Sequence, residues 1–580
     1  MSWIFGIAGA EISSDLISKI RRFTAEPLYI YQSKNVYILG GGLKETCLSS
    51  LLTDKKETKD KGWIVCGIGI SPELDERKHI LTCNDWEIIF RQPDPRLEIL
   101  EGHFAAITWD QDKIFGYVDS RGIRDLHLTI FDKYILISTR IDWFAKFGLK
   151  CSINFVRFGS RWLAFNQLSR KSIVKPIERL GPGGTAEIKD NCYSVRYPDY
   201  PYLPQTNKSL EEIIFSLTTF PQNAGYKIIT CLSGGIDSRL LLASLLSLPK
   251  DQWQVCVFGS ADHPDAQIAR NIVSDFNLNH IYFDNQIPDE TQMIRSMRDY
   301  VVHTQCIGPA TEAIRLGFYG QLHQPKNIVI DGAFGEIMRR SYFNRLLIRG
   351  KAAFFSGQPD KIAQYLKIQR ADIFNDDVLR LMEDGLVEDV ANVWQKFLKS
   401  EQANEPENFL DLLAILTRLP NLFGPEVSRL DHLLLNYMPF AQPSFLATVL
   451  NTNLNLRKNG HFSKSFIEKR RHVLTRYLLV KDSYAYPYGL SNIIINRAWR
   501  EIAFLLGLCF RDDSNLQIMK ILETFIRDTV LSKETRSFVA YDIKKIDDLV
   551  DRFYAGEHHL AEELAWWLSF ELWRQECLFT

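Results

Sequence analysis

The 580-residue sequence is poor in most features that mark specialised classes of chain. Its 10 cysteines are scattered, with no C-x-x-C pair and no histidine cluster beside any of them. A disulfide scaffold or a structural zinc site is therefore not expected, and the thiols read as reduced groups of a cytoplasmic protein. Charge of either sign is not in excess: 69 Lys+Arg against 70 Asp+Glu leave a formal net charge of -1. That balance argues against nucleic-acid binding or anionic-membrane binding as the main function. No run reaches the roughly 18 apolar residues of a membrane span. The opening Met1-Ser2-Trp3-Ile4-Phe5-Gly6-Ile7 has no basic n-region and meets Glu11 early, so no secretory signal is expected. Internal repeats and low-complexity tracts are missing as well.

What is present is an ordinary globular composition with an aromatic surplus: 46% hydrophobic, 24% charged and 12% aromatic, which excludes large-scale disorder. At roughly 100–200 residues per domain, the length predicts two to four domains. Up to about residue 190 the chain reads as short β-branched and aromatic strands: 29–31, 36–39, 63–68, 86–90, 103–109, 114–118 and 134–138. Turn formers separate them, which predicts an antiparallel α+β domain. The proline-rich Tyr197-Pro198-Asp199-Tyr200-Pro201-Tyr202-Leu203-Pro204 reads as a linker, dividing the chain into residues 1–204 and 205–580. Beyond it, apolar strands at 227–232, 253–258, 280–283 and 327–330 alternate with helical runs at 236–248 and about 264–276. That alternation predicts a doubly wound α/β domain with a parallel sheet. From about 345 to 580 the apolar period is helical.

The sharpest motif is Ser233-Gly234-Gly235-Ile236-Asp237-Ser238, between the first of those strands and its helix. Two glycines let the backbone turn tightly and offer N–H groups to an anion, and the helix directs its positive end at the same point. Ser233 and Ser238 add hydroxyl donors, and the Asp237 carboxylate suits a hard cation such as Mg²⁺. The Gly-Lys-Ser/Thr of a Walker A loop is missing, so this is a phosphate cradle of another kind. It resembles the loop of ATP pyrophosphatases, which cleave ATP between the α- and β-phosphates and adenylate a substrate.

Further segments are similar to the class B asparagine synthetases and their relatives, the β-lactam synthetases and lasso-peptide cyclases. Val257-Phe258-Gly259-Ser260-Ala261-Asp262-His263-Pro264-Asp265 resembles the second strand and its acidic helix start. By that resemblance Leu232, Phe258 and Gly259 line the adenine pocket. Ile330-Asp331-Gly332-Ala333-Phe334-Gly335-Glu336 resembles the second phosphate loop, with Asp331 and Gly332 at the nucleotide and Glu336 on pyrophosphate-bound Mg²⁺ together with Asp237. Tyr437-Met438-Pro439-Phe440 resembles the family's Pro-Phe segment. Lys481, ahead of Tyr484-Ala485-Tyr486-Pro487-Tyr488-Gly489, falls at the family's catalytic lysine, where an ammonium stabilises developing negative charge; Lys464 is a weaker candidate.

Gly6-Ile7-Ala8-Gly9, Leu100–Ala105 and Gly116–Gly122 resemble the glutamine amidotransferase (Ntn) domain that precedes the synthetase in this family. Working members keep a cysteine directly before that Gly-Ile; here Phe5 stands at the place. Ser2 follows the initiator Met but lies away from that position, and the segments that hold glutamine are missing. A glutaminase-inactive member is expected. Ala333 and Leu435 depart from family glutamates, in ways shared with lasso-peptide cyclases.

The resemblance therefore implies an Ntn-amidotransferase-like α+β domain, a C-terminal ATP-pyrophosphatase domain of adenine nucleotide alpha hydrolase type, and a helical C-terminal part. It implies ATP and Mg²⁺ as cofactors, and a small-molecule or peptide carboxylate coupled to an amine without glutamine hydrolysis. A macrolactam cyclase, served by a precursor-peptide-processing partner, is one form of that reading. An ammonia-dependent asparagine synthetase and an ATP-binding pseudoenzyme scaffold are its alternatives. Neither nucleic acid nor membrane is expected as a partner.

Overall fold

The computed structural model describes residues 2–578 except 53–55, 58–59, 73–77, 112, 199–201, 261–262, 285, 399–407, 482–483, 491–498, 500 and 507–512. The side chains of Lys56, Glu57, Arg315, Leu316 and Lys481 lie outside the description as well. Part of the linker (199–201) and of the second nucleotide segment (Ala261, Asp262) falls in the excluded set.

Among the described residues the N-terminal half stacks two largely antiparallel sheets. One has seven strands, with Trp3–Gly9 between Tyr134–Ser138 and Val36–Gly41; the other has six, centred on Glu101–Asp110 between Lys61–Ile70 and Lys113–Val118. Strand periodicity decides what each residue meets. Along Trp3–Gly9, Ile4 and Ala8 enter the core between the sheets with Ile38, Ile64 and Ile107. Trp3, Phe5 and Ile7 enter a different core on the outer face, under helices. Those helices include Asp142–Phe147 and the C-terminal Ala561–Cys577, whose Trp567 and Trp573 are fully buried. The two halves of the chain thus share one hydrophobic core.

Residues 86–90 are not a strand. Cys83–Phe90 is a helix, started by a capping box in which Thr82 Oγ1 accepts from the Asp85 N–H and the Asp85 carboxylate accepts from the Thr82 N–H. The cap overrides an aromatic run that otherwise suits a strand.

In the C-terminal half five strands lie parallel in the order His280–Phe283, Trp253–Phe258, Lys227–Cys231, Asn327–Ile330, Asn436–Tyr437. Numbered in chain order, the five strands therefore sit as 3-2-1-4-5. The last strand, and a hairpin of Leu479–Lys481 with Tyr484–Tyr486, interrupt the segment whose period reads as helical. Both sheet faces are apolar: Ile228, Val255 and Ile328 pack on one side, Ile229, Cys256 and Val329 on the other. Strand order reverses at Lys227–Cys231 and Asn327–Ile330, so a crevice opens beyond the carboxyl ends of those two strands, the usual ligand position in open α/β sheets. Among the described residues no helix is long and apolar enough to cross a membrane.

Candidate active site

The loops that leave the two switch-point strands are 232–235 and 331–335, and they press against each other. A Cβ on Gly332 would lie 3.2 Å from the Asp237 carbonyl carbon and the Ser238 nitrogen; one on Gly335 would lie 2.7 Å from Asp237 Cγ. Only glycine lets the loops approach so closely. Between them Phe334 takes φ +67°, a left-handed conformation uncommon for a bulky residue, and is held by stacking on Tyr342 at 5.2 Å between ring centres. Replacing Gly335 by alanine is expected to displace the Asp237 carboxylate and destabilise the chain by about 1–3 kcal/mol. Thermal denaturation and nucleotide affinity, the latter falling at least tenfold, check this.

The Ser233–Ser238 loop is braced from within. Ser233 Oγ and Ser238 Oγ are 3.1 Å apart, the Gly235 N–H donates to Ser233 Oγ, and the Gly234 N–H donates to Asp265 Oδ1 at 2.6 Å. Arg239, fully buried, donates to the carbonyls of Gly234, Tyr477 and Leu478. The Val480 N–H donates to the Gly234 carbonyl at 3.0 Å, which sets the strand ending at Lys481 directly against the loop. No side chain caps the Ile236–Leu245 helix, so its first-turn N–H groups are left for an anion or water.

Asp237 is the electrostatic centre of the site. Arg339 donates to its Oδ2, whereas its Oδ1 is buried with no partner. Burial lifts the carboxyl to about 6, with Arg339 opposing the rise and Glu336 and Asp331 adding to it. Asp331 is likewise raised by burial and held back by the Ala333 N–H, which donates to its Oδ1 at 2.7 Å. Glu336 Oε2 accepts from the Tyr342 hydroxyl at 2.8 Å, and Arg418 lies 5.0 Å over the Tyr342 ring. A lone buried carboxylate oxygen, crowded by two further acids, suits a hard cation. Mg²⁺ uses one or two carboxylates and completes its shell with phosphate and water, and Asp237 and Glu336 are the acids of these loops that could hold it. Among the described residues no group of three or more ligating side chains forms an all-protein metal cage.

Beside Asp331 opens a cavity of about 250 Å³, lined by Ala333, Tyr319, Phe423, Met438, Glu312 and Glu426 among others. Its size falls just below the roughly 300–1,000 Å³ of small-molecule pockets. Glu426 is fixed there by the Tyr300 hydroxyl at 2.6 Å.

The structure thus brings together Ser233, Gly234, Gly235, Asp237, Ser238, Asp331, Gly332 and Glu336. Leu232 is tied to the second strand through its N–H and the Cys256 carbonyl, and Gly259 (φ +115°) follows Phe258 at the end of that strand. The Phe258 ring stacks on Phe318 at 4.9 Å, a continuous apolar wall with Phe283. Lys464 stands apart, its ammonium on the Leu490 carbonyl at 2.8 Å and 5.7 Å over the Tyr488 ring. Of the family departures, Ala333 lines the cavity, whereas Leu435 is buried in the core.

Arg339, Tyr342, Asp265 and Arg239 complete the site but were not singled out as functional from the sequence. Arg339 carries the one readable signal, three residues past Glu336 in the same turn. At the N-terminus, Phe5 is fully buried among Phe23, Trp143 and Phe147. Ser2 is also fully buried, its hydroxyl against Thr46 Oγ1 and donating to the Asp431 carbonyl at 3.1 Å.

No protein-family model and no curated protein matches the sequence. Among solved structures, an allosteric regulatory enzyme of purine biosynthesis is similar at 10% identity and a TM-score of 0.22, over 67% of this chain and 91% of that one. Glutamine phosphoribosylpyrophosphate amidotransferase from B. subtilis, complexed with ADP and GMP, is similar at 9% identity and a TM-score of 0.22, over 72% of this chain and 100% of that one. Likeness at that level settles nothing about this chain.

Proposed function

We propose that the chain is an ATP-dependent, AMP-forming amide-bond synthetase that adenylates a carboxylate and couples it to an amine without hydrolysing glutamine. The observation that supports it most is the meeting of two glycine-bearing loops at the switch point of a parallel sheet, with the orphaned Asp237 Oδ1 between them. In this reading the Ser233–Ser238 loop and the uncapped helix hold the phosphates, and Phe258 and Gly259 flank the adenine. Asp237 and Glu336 hold Mg²⁺, which neutralises charge on the departing pyrophosphate. Lys481 stabilises the charge that develops as the amine displaces AMP. The 250 Å³ cavity receives one side chain or a small molecule of the acceptor, which accommodates either a free substrate or one residue of a peptide closing on itself. The N-terminal half serves as a degenerate amidotransferase-like support.

ATP–pyrophosphate exchange over a panel of carboxylic acids and peptides tests the reading. AMP and pyrophosphate should form in equal amounts, and Lys481→Ala should lower turnover by about 10²–10³-fold. ADP as the product, or no exchange together with no ATP binding, overturns it in favour of another phosphotransfer or a scaffold.

A further inference from the structure

A smaller cavity, of about 40 Å³, lies where the N-terminal sheets meet the helices of the other half. A single water needs roughly 10–15 Å³, so a small ion fits. Arg124, Asp125, His127, Arg161 and Arg179 line it from the N-terminal half, His303 and Gln305 from the other.

The cations are unequally matched. Arg124 has Asp431, at 3.2 Å, and Arg179 has Asp125. Arg161, 4% exposed, has no carboxylate: Nη2 donates to Gln167 Oε1 at 2.6 Å, Nη1 to the Gln305 carbonyl, and Nε to nothing. Its buried neighbour Arg370 adds charge and removes none, donating to the Arg161 carbonyl and lying 3.8 Å over the Trp566 ring. His127, 2% exposed, has no partner on Nδ1. A buried guanidinium without a counter-ion is one of the costliest groups a fold can carry.

We propose that this cavity is a binding site for one small monovalent anion, a halide or a carboxylate, held by Arg161 between the two halves of the chain. Among the arginines that line the cavity, Arg161 is the one without a carboxylate, and one negative charge answers it. Burial, with Arg179 and Arg370 close by, pulls Arg161 down to about 9, and an anion reverses that pull. The Gly424–Leu430 helix presents Pro425 and Ser428 to this cavity, and Glu426, Val427 and Leu430 to the 250 Å³ one. The anion therefore steadies a wall of the candidate substrate cavity.

The test uses the full chain at constant ionic strength, with gluconate, too large to enter, as the filler anion. Chloride or acetate should raise the thermal midpoint saturably in wild type and leave Arg161→Met unaffected. Crystals grown in bromide should show an anomalous peak beside Arg161, and its displacement by acetate marks carboxylate as the tighter ligand. A saturable rise that persists in Arg161→Met overturns the proposal. So does an empty cavity in the bromide map, which decides the matter even if the variant fails to fold.

Discussion

Replacing Asp237 by asparagine is expected to abolish ATP–pyrophosphate exchange and, at the same time, to make the protein more stable. The loss follows from the proposed role: removing a metal carboxylate forfeits several kcal/mol of transition-state stabilisation, about 10³-fold or more in rate. The gain follows from linkage. The native carboxyl sits at about 6 against an ordinary 3.8, so the native state binds this proton more tightly than the unfolded chain does. Its contribution to stability is full below pH about 4 and is lost as pH rises through about 6. At pH 8 wild type therefore holds an ionised group that the fold disfavours, and the neutral amide should recover about 1–3 kcal/mol. Denaturation midpoints of the two proteins should converge towards pH 4 and separate towards pH 8. Mg²⁺ with ATP should raise the midpoint of wild type only. A variant less stable than wild type at pH 8 contradicts the electrostatic account, whereas retained exchange contradicts the catalytic one.

The parts of this site that are legible in sequence are those set by local pattern. The Ser233–Ser238 and Asp331–Glu336 loops stand out because continuous apolar strands precede them and their glycines mark where backbone must pass close to something. Arg339 and Arg340 show what local pattern cannot reach. They are adjacent in sequence, yet Arg339 pairs with Asp237 and Arg340 lies 3.7 Å from Asp411, so the tertiary fold alone brings one of them to the candidate site and not the other. Residues 86–90 failed for the opposite reason, since a short cap outweighed a longer aromatic run. The Ala561–Cys577 helix is plain from its period, but its sequence does not say that it shares a core with Trp3, Phe5 and Ile7 of the N-terminal sheet. Chain order divides the chain at a linker; packing places residues of both halves in one core.

That union predicts the second large effect, at Asp431. Its side chain is fully buried, with His103 Nε2 at 2.9 Å, Asn436 Nδ2 at 3.0 Å and Arg124 Nη1 at 3.2 Å, while its carbonyl accepts from Thr46 and Ser2. Four partners come from strands or loops of the N-terminal half, so this one residue clamps the halves together. Asp431→Ala leaves a buried arginine and a buried histidine facing a void, which should cost about 3–5 kcal/mol. Asp431→Asn keeps a hydrogen-bond acceptor and should lose less. Pairing Asp431→Leu with Arg124→Met removes both charges and should recover most of the loss, because desolvation of the pair offsets much of its attraction. Because the outer core mixes Trp3 and Phe5 with Met293 and Trp567, wild type and variants should unfold in a single calorimetric transition, shifted in Asp431→Ala but not split. Two transitions in wild type would mean that the halves fold independently, and a double variant as unstable as Asp431→Ala would place the energy in the hydrogen bonds to His103 and Asn436 rather than in the buried charge pair.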